Sequence, residues 1–371
     1  MSLPSSRLTL IDALKAFAAQ VIVLHHLTIY SPWRADASQW SSMPLTWAAD
    51  YGRWAVQIFL VIGGFLAARS LAPQGAWRSA ISLPVMVWRR YQRLVLPLTA
   101  VLLLAIVAAE VARWSMIDDS IPPRAQWPQL LAHLLLIQDV AGVESLSAGV
   151  WYVAIDLQLF ALFAGLMWLG ARMPTRWATM AGVWLTVAVA TLALMVLNRD
   201  IAWDWFGGYF FGSYALGAFA WWGAAPGRRV LAALMPVLVV TALALAFRER
   251  LLVALATACL LWWGTTQGGL SRWGDVRPAQ FLARISYAQF LVHYPVALVV
   301  HALAVQWLPD NATTPLLTIA AGWILAVVAA WRFHVRVEQP AMAWLDTRHP
   351  RGREPATPKT IQVDAAPVAA R

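Results

Sequence analysis

Several ionisable side chains lie within long apolar stretches, where a charge at the bilayer centre costs at least about 2.5–3.5 kcal/mol and is therefore a functional candidate. Lys15 and His26 are eleven residues apart in the first stretch. This spacing is close to three turns of an α-helix, so both project from one face about 16 Å apart. Asp12 lies one turn before Lys15. A snorkelling Lys15 and a His26 that only packs and hydrogen-bonds are the structural alternatives.

A run of cations precedes the third apolar stretch, in the sequence Arg89-Arg90-Tyr91-Gln92-Arg93. Arg90 and Arg93 are one helical turn apart, and guanidinium groups on one face suit a bidentate grip on a phosphate. The alternative is that these arginines only fix the orientation of the chain in the membrane.

Three further polar positions stand out later in the chain. Asp156 is a carboxylate several residues inside an apolar helix, either functional or the ion-pair partner of an arginine elsewhere in the bundle. Ser286 and His293 are seven residues apart, so they share a helix face. Glu338 follows the last apolar stretch, where a solvated glutamate is ordinary.

The composition indicates what must position these groups. Hydrophobic residues make up 60% of the 371 residues and charged residues 12%, against about 45–50% and about 25% in soluble domains. Mean hydropathy is +0.61. A spanning helix needs about 20 apolar residues. The sequence therefore predicts an all-α, polytopic helical membrane protein with about ten transmembrane helices.

The predicted spans define one large domain over residues 1–345, followed by a disordered cytoplasmic tail over residues 346–371 that is rich in Pro, Arg and Ala. The run Leu130–Ile137 is too short to span and is predicted to be interfacial or re-entrant. The ten segments are Leu10–Tyr30, Tyr51–Arg69, Leu94–Arg113, Val150–Gly170, Ala178–Leu197, Phe206–Trp222, Val230–Phe247, Leu251–Thr266, Ile285–Trp307 and Pro315–Phe333.

The distribution of basic residues predicts the orientation. With the N-terminus inside, 20 of the 28 Lys and Arg residues fall on the cytoplasmic side and seven on the outer side, with Lys15 in the first span. This excess follows the positive-inside rule and predicts that both termini are cytoplasmic. The basic residues are not clustered with aromatic ones, so no nucleic-acid partner is expected. The single cysteine, Cys259, excludes a disulfide framework and a cysteine metal site.

Taken in order, these motifs resemble acyltransferase family 3, a group of bacterial integral membrane O-acyltransferases. The resemblance runs from Leu10 to about Leu345, with Lys15 and Asp156 standing where the family usually has Arg and Glu. The residues that carry it are Asp12, Lys15 and His26, Gly63 to Leu66, Arg90 to Arg93 with Pro97, Trp151 to Asp156, Ile285 to Pro295, and Glu338 to Pro340.

The resemblance implies transfer of an acyl group, most often acetyl, from cytoplasmic acyl-CoA to a hydroxyl of a cell-surface or lipid-linked glycan at the bacterial inner membrane. His26 is then the general base or a transient acyl carrier. Arg90, Arg93 and Lys15 bind the donor, and Asp156 orients a histidine or an arginine. No metal is required. The second-tier candidates are Asp12, Ser286, His293 and Glu338.

Two hypotheses from other functional classes stay open beside acyl transfer. In a proton-coupled transporter or flippase the intramembrane Asp, His and Lys form a proton relay, although no inverted repeat supports it. A catalytically silent membrane scaffold keeps the same fold without the reaction. The sequence fixes no oligomeric state.

Overall fold

The computed structural model describes residues 7–34 and 43–349, and within those two ranges all regular structure is helical. Short 3-10 segments and one π-helical segment connect the α-helices. The α-helices of the described chain are α1 Thr9–Ile29, α2 Met43–Tyr51, α3 Val56–Leu71, α4 Leu83–Ser115, α5 Trp127–Leu134, α6 Val150–Gly170, α7 Thr175–Met195, α8 Gly207–Gly223, α9 Arg229–Leu245, α10 Arg250–Thr266, α11 Arg277–Trp307, α12 Thr314–Phe333 and α13 Gln339–Arg348.

The apolar helices confirm an integral membrane protein. Helices α9 and α10 are also apolar but, like α8, have only 17 residues, near the lower limit for a span. The count of ten spans and the cytoplasmic termini therefore stay predictions. The seven stretches of the described chain that are long and apolar enough to cross a membrane are Thr9–Ile29, Pro44–Leu71, Leu83–Ser115, Val150–Gly170, Met180–Arg199, Arg277–Trp307 and Thr314–Arg348.

Two helices extend well beyond their apolar segments. Helix α4 begins at Leu83 rather than Leu94, and α11 begins at Arg277 rather than Ile285. A proline lies in the first turn of each helix, where it needs no hydrogen-bond donor and favours helical geometry. The polar residues that follow sustain the helix outside the apolar region. As a result, Arg90 lies inside helix α4 and not in the loop before it.

Helix α8 is the centre of the bundle, with sixteen of its 17 residues buried. Its backbone contacts that of α3 directly. A Cβ at Gly64 would lie 1.7 Å from the carbonyl oxygen of Tyr214, and a Cβ at Gly217 would lie 1.9 Å from that of Val61. Only glycine fits either position, which is the small-residue packing typical of membrane helices. This contact fixes α3, and with it the polar residues at its start, against the core.

Helix α5 is the short helix predicted around Leu130–Ile137, and its eight residues do not span. His133 attaches it to the loop before α6. The His133 Nδ1–H donates to the carbonyl of Gln129 at 2.7 Å, and the Leu146 N–H donates to His133 Nε2 at 3.1 Å. Burial lowers the pKa of His133, so the neutral ring that accepts from Leu146 is favoured.

The last described helix, α13, ends at Arg348. The predicted tail falls almost wholly on residues 350–371, which lie outside the described residues. The disordered tail therefore stays a prediction.

Candidate active site

Two histidines from distant parts of the chain meet between α1 and α11. His26 Nδ1 lies 2.7 Å from His293 Nε2. The two ring planes are inclined by 11° and their centroids are 4.8 Å apart. Nearly coplanar rings at this separation match an in-plane hydrogen bond between two imidazoles. The structure therefore joins the leading candidate, His26, to a second-tier one, His293.

The hydrogen-bond network assigns the protons of this pair. His293 Nδ1 lies 3.2 Å from the carbonyl oxygen of Gln289, which only accepts, so Nδ1 carries the proton and Nε2 is the acceptor. The His26 Nδ1–H must then donate to His293 Nε2. Among the residues that the structure describes, none hydrogen-bonds to His26 Nε2, so in the neutral ring this nitrogen has a free lone pair, as a general base requires.

His26 lines a cavity of about 320 Å³, which we call the far cavity. It lies at the end of the bundle where α1 finishes and where α3, α6, α8 and α10 begin. His25 also lines it, but its Nδ1–H donates to the carbonyl of Ala48 at 2.9 Å, a structural contact. Aromatic rings form much of the wall: Trp54, Trp151, Tyr209, Phe210 and Phe290.

A second group of polar residues, which we call the charged cluster, consists of Lys15, Arg90 and Asp156. The Arg90 guanidinium donates from Nε to Asp156 Oδ2 at 3.1 Å and from Nη2 to Oδ1 at 2.9 Å. Lys15 interacts electrostatically with both. Among the described residues, no carboxylate lies within ion-pair distance of the Lys15 ammonium. The cluster therefore has one cation more than it has carboxylates.

Two tyrosines that sequence analysis did not single out adjoin this cluster. Tyr152 and Tyr214 both interact electrostatically with Arg90 and Asp156. A signal existed for the first, because Tyr152 is four residues before Asp156 and so shares its helix face. Tyr214 comes from α8, and only the packing of α8 brings it here.

The structure does not bring Arg90 and Arg93 to one partner. Arg93 pairs with Asp346 of α13 at 2.5 Å, while Arg90 points to Asp156 inside the bundle. Arg89 and Arg93 instead line a small cavity of about 70 Å³. Arg89 and Arg93 are four residues apart and so share a helix face, which is the sequence signal for this pair.

The family model described as an acyltransferase domain matches residues 8–335, most of the chain. The chain belongs to acyltransferase family 3. The resemblance drawn from the motifs is confirmed, and in general terms the protein is a membrane acyltransferase. No curated protein and no solved structure matches it.

The matched region of this acyltransferase contains both histidines and the charged cluster, but ends before Glu338. The other candidates have local partners. Asp12 accepts from Arg7 at 2.5 Å, Ser286 donates to the carbonyl of Ala283 at 2.9 Å, and Glu338 pairs with His334 at 2.8 Å. Over residues 7–34 and 43–349, no cluster of three His, Cys, Asp or Glu side chains is arranged to hold a metal.

Proposed function

We propose that this acyltransferase moves an acyl group, acetyl in the simplest case, from cytoplasmic acyl-CoA to a hydroxyl of a glycan on the outer side of the bacterial inner membrane. His26 is the general base. The observation that supports this is the geometry of His26: its Nδ1–H is held by His293 at 2.7 Å, its Nε2 is free, and its ring lines the far cavity.

The proposed reaction uses that geometry. An acceptor hydroxyl in the far cavity donates its proton to His26 Nε2 while its oxygen attacks the thioester carbonyl carbon. The carbon–sulfur bond breaks, and the departing thiolate recovers the proton from His26. While His26 is cationic, its Nδ1–H bond to His293 becomes charge-assisted and stronger. Such general base catalysis contributes about 10²–10⁴-fold to the rate.

The charged cluster suits the donor. Its excess positive charge attracts the anionic end of acyl-CoA, and Arg89 adds a cation beside the ion pair of Arg93 with Asp346. Lys15 and His26 are about 16 Å apart along α1, a gap that the long pantetheine arm of CoA crosses. The interior is polar there: Gln20 and Gln289 exchange amide hydrogen bonds of 2.8 and 3.1 Å across α1 and α11.

The test is thioester cleavage by the purified full chain in lipid nanodiscs, with labelled acetyl-CoA and a glycan acceptor. His26→Ala should lower the rate by about 10²–10⁴-fold. The matched control is His301→Gln: His301 is a buried histidine of α11 that does not line the far cavity, and a glutamine can keep its interaction with the backbone of Tyr30, so the rate should stay near wild type.

An equal rate in His26→Ala and wild type contradicts the role of His26. A complete lack of thioester cleavage, together with acyl-CoA-independent movement of a solute, favours a proton-coupled transporter instead.

A further inference from the structure

The mouth of the far cavity carries charges that the proposed reaction does not use. Arg53, Asp204 and Arg250 line the cavity, and the exposure of Arg53 and Asp204 places them at its opening. Arg53 is exposed and makes no hydrogen bond or ion pair with any residue that the structure describes. A cation without a partner at the mouth of a cavity is available to a ligand.

Arg250 is held in place yet keeps an unused donor. Its Nη2 donates to the carbonyl of Asn198 at 3.1 Å and to the Tyr209 hydroxyl at 2.5 Å. Its Nη1 makes no hydrogen bond with any residue that the structure describes. This nitrogen is not among the fully buried side-chain atoms, so it can donate to a ligand oxygen in the cavity.

Arg53 and Arg250 lie together on the predicted outer side of the membrane, where basic residues are uncommon. The predicted orientation places this mouth on the outer side, where only seven of the 28 basic residues lie. Two of those seven line the far cavity. A third, Arg248, donates to the same Asn198 at 3.0 Å. Because the positive-inside rule disfavours outer cations, their grouping at one cavity indicates a binding role.

The wall of the cavity suits a sugar ring. Trp54, Trp151 and Phe290 provide aromatic faces, on which the apolar C–H face of a sugar packs. The volume of about 320 Å³ lies at the lower end of the range for ligand pockets. It accommodates one sugar residue, with the rest of the glycan outside.

We propose that the far cavity selects an acidic glycan. One sugar residue packs against the tryptophans, and its carboxylate or phosphate group pairs with Arg53 and Arg250. This inference rests on the proposed function and names the acceptor class of the same site. Asp204 is the opposing charge, and it interacts electrostatically with Arg250. An anion near Asp204 is repelled, so Asp204 directs the acidic group toward the arginines.

The test measures binding rather than turnover. The full chain in nanodiscs, without acyl-CoA, is titrated by calorimetry with three probes. These are a uronic-acid oligosaccharide, the same oligosaccharide with its carboxyl groups reduced to alcohols, and a phosphorylated neutral oligosaccharide. We expect the better acidic probe to bind at least about tenfold more tightly than the reduced one, because hydrogen bonds between two charged groups are much stronger than those of a neutral alcohol. The tighter acidic probe identifies the anion.

Three variants should change the affinity for the acidic probe differently: one lowers it, one raises it and one leaves it unchanged. Arg53→Gln should remove most of the preference for the acidic probe, and because Arg53 is exposed this change should not disturb folding. Asp204→Asn should strengthen acidic binding by a few-fold, since it removes a repulsion. Arg124→Gln is the matched control, because Arg124 is a predicted outer arginine with 79% of its side chain exposed and does not line the cavity. It should leave all affinities unchanged.

Equal affinity for acidic and reduced probes, or an unchanged preference in Arg53→Gln, overturns the inference and leaves the acyl-transfer assay untouched. Conversely, selective acidic binding without any thioester cleavage supports the acidic site while contradicting the proposed reaction. The two failures are therefore distinguishable.

Discussion

The charged cluster and the far cavity differ in how their polar side chains are paired inside an apolar helix bundle. In the charged cluster, Arg90 and Asp156 neutralise each other through a bidentate contact. In the far cavity, the rings of His26 and His293 are joined by one hydrogen bond. A paired charge has few free donors or acceptors, whereas His26 keeps a free nitrogen. The comparison indicates that the charged cluster is suited to stabilise the helix bundle and attract an anionic donor, whereas the far cavity is suited to accept a proton at His26.

The largest effect that tests this comparison is expected from Asp156→Ala. Removing the carboxylate leaves the Arg90 guanidinium without its partner; because 39% of its side chain is exposed, water offsets part of the loss, and the cost should be about 1–3 kcal/mol. Thermal unfolding in nanodiscs should show a large loss of stability. The double variant Arg90→Met, Asp156→Leu should recover most of it, since well-packed apolar residues replace such pairs without loss. A single variant as stable as wild type would show that the pair does not stabilise the bundle.

The next effect tests whether His293 positions His26, the proposed general base in the far cavity. His293→Leu removes the acceptor for the His26 Nδ1–H, so kcat for acyl transfer should fall by about 10–100-fold, with little change in KM for the glycan. His293→Gln offers an amide oxygen in place of the ring nitrogen and should recover much of the rate. If Leu and Gln variants are equally impaired, His293 acts by some means other than accepting this hydrogen bond.

The smallest effect concerns the attachment of α5 to the loop before α6. Burial lowers the pKa of His133 below its ordinary value of 6.5. The detached ring binds a proton more readily than the docked one, so the contact with Leu146 is fully stable above about pH 6.5 and weakens as the pH falls below it. The protection factor of the Leu146 amide, which corrects the observed hydrogen-exchange rate for base-catalysed intrinsic exchange, should be lower at pH 5 than at pH 7.5. His133→Gln, which does not titrate, should lose that pH dependence; a wild-type protection factor that is the same at both pH values contradicts the role of His133.

Part of the candidate site was predictable from local spacing. The helical period placed Lys15 and His26 on one face, and the structure brings Lys15 beside Arg90 and Asp156 and His26 beside His293. The helical period did not predict that Arg90 and Arg93 have separate ion-pair partners. These partners lie on α6 and α13. Spacing within a helix determines a face, but not which helix lies opposite that face. The catalytic and binding roles of these residues stay predictions until they are measured.

The sequence by itself determined that the chain lies in a membrane, that it is helical and which family it belongs to. Those properties follow from apolar runs and ordered motifs, which are local. Only the tertiary structure decided that His26 meets a histidine 267 residues away and that Arg90 meets Asp156. When nearly every helix face is apolar, hydrophobicity does not specify neighbours. Close backbone contacts such as that of Gly64 with Tyr214, together with a few polar pairs, select the arrangement.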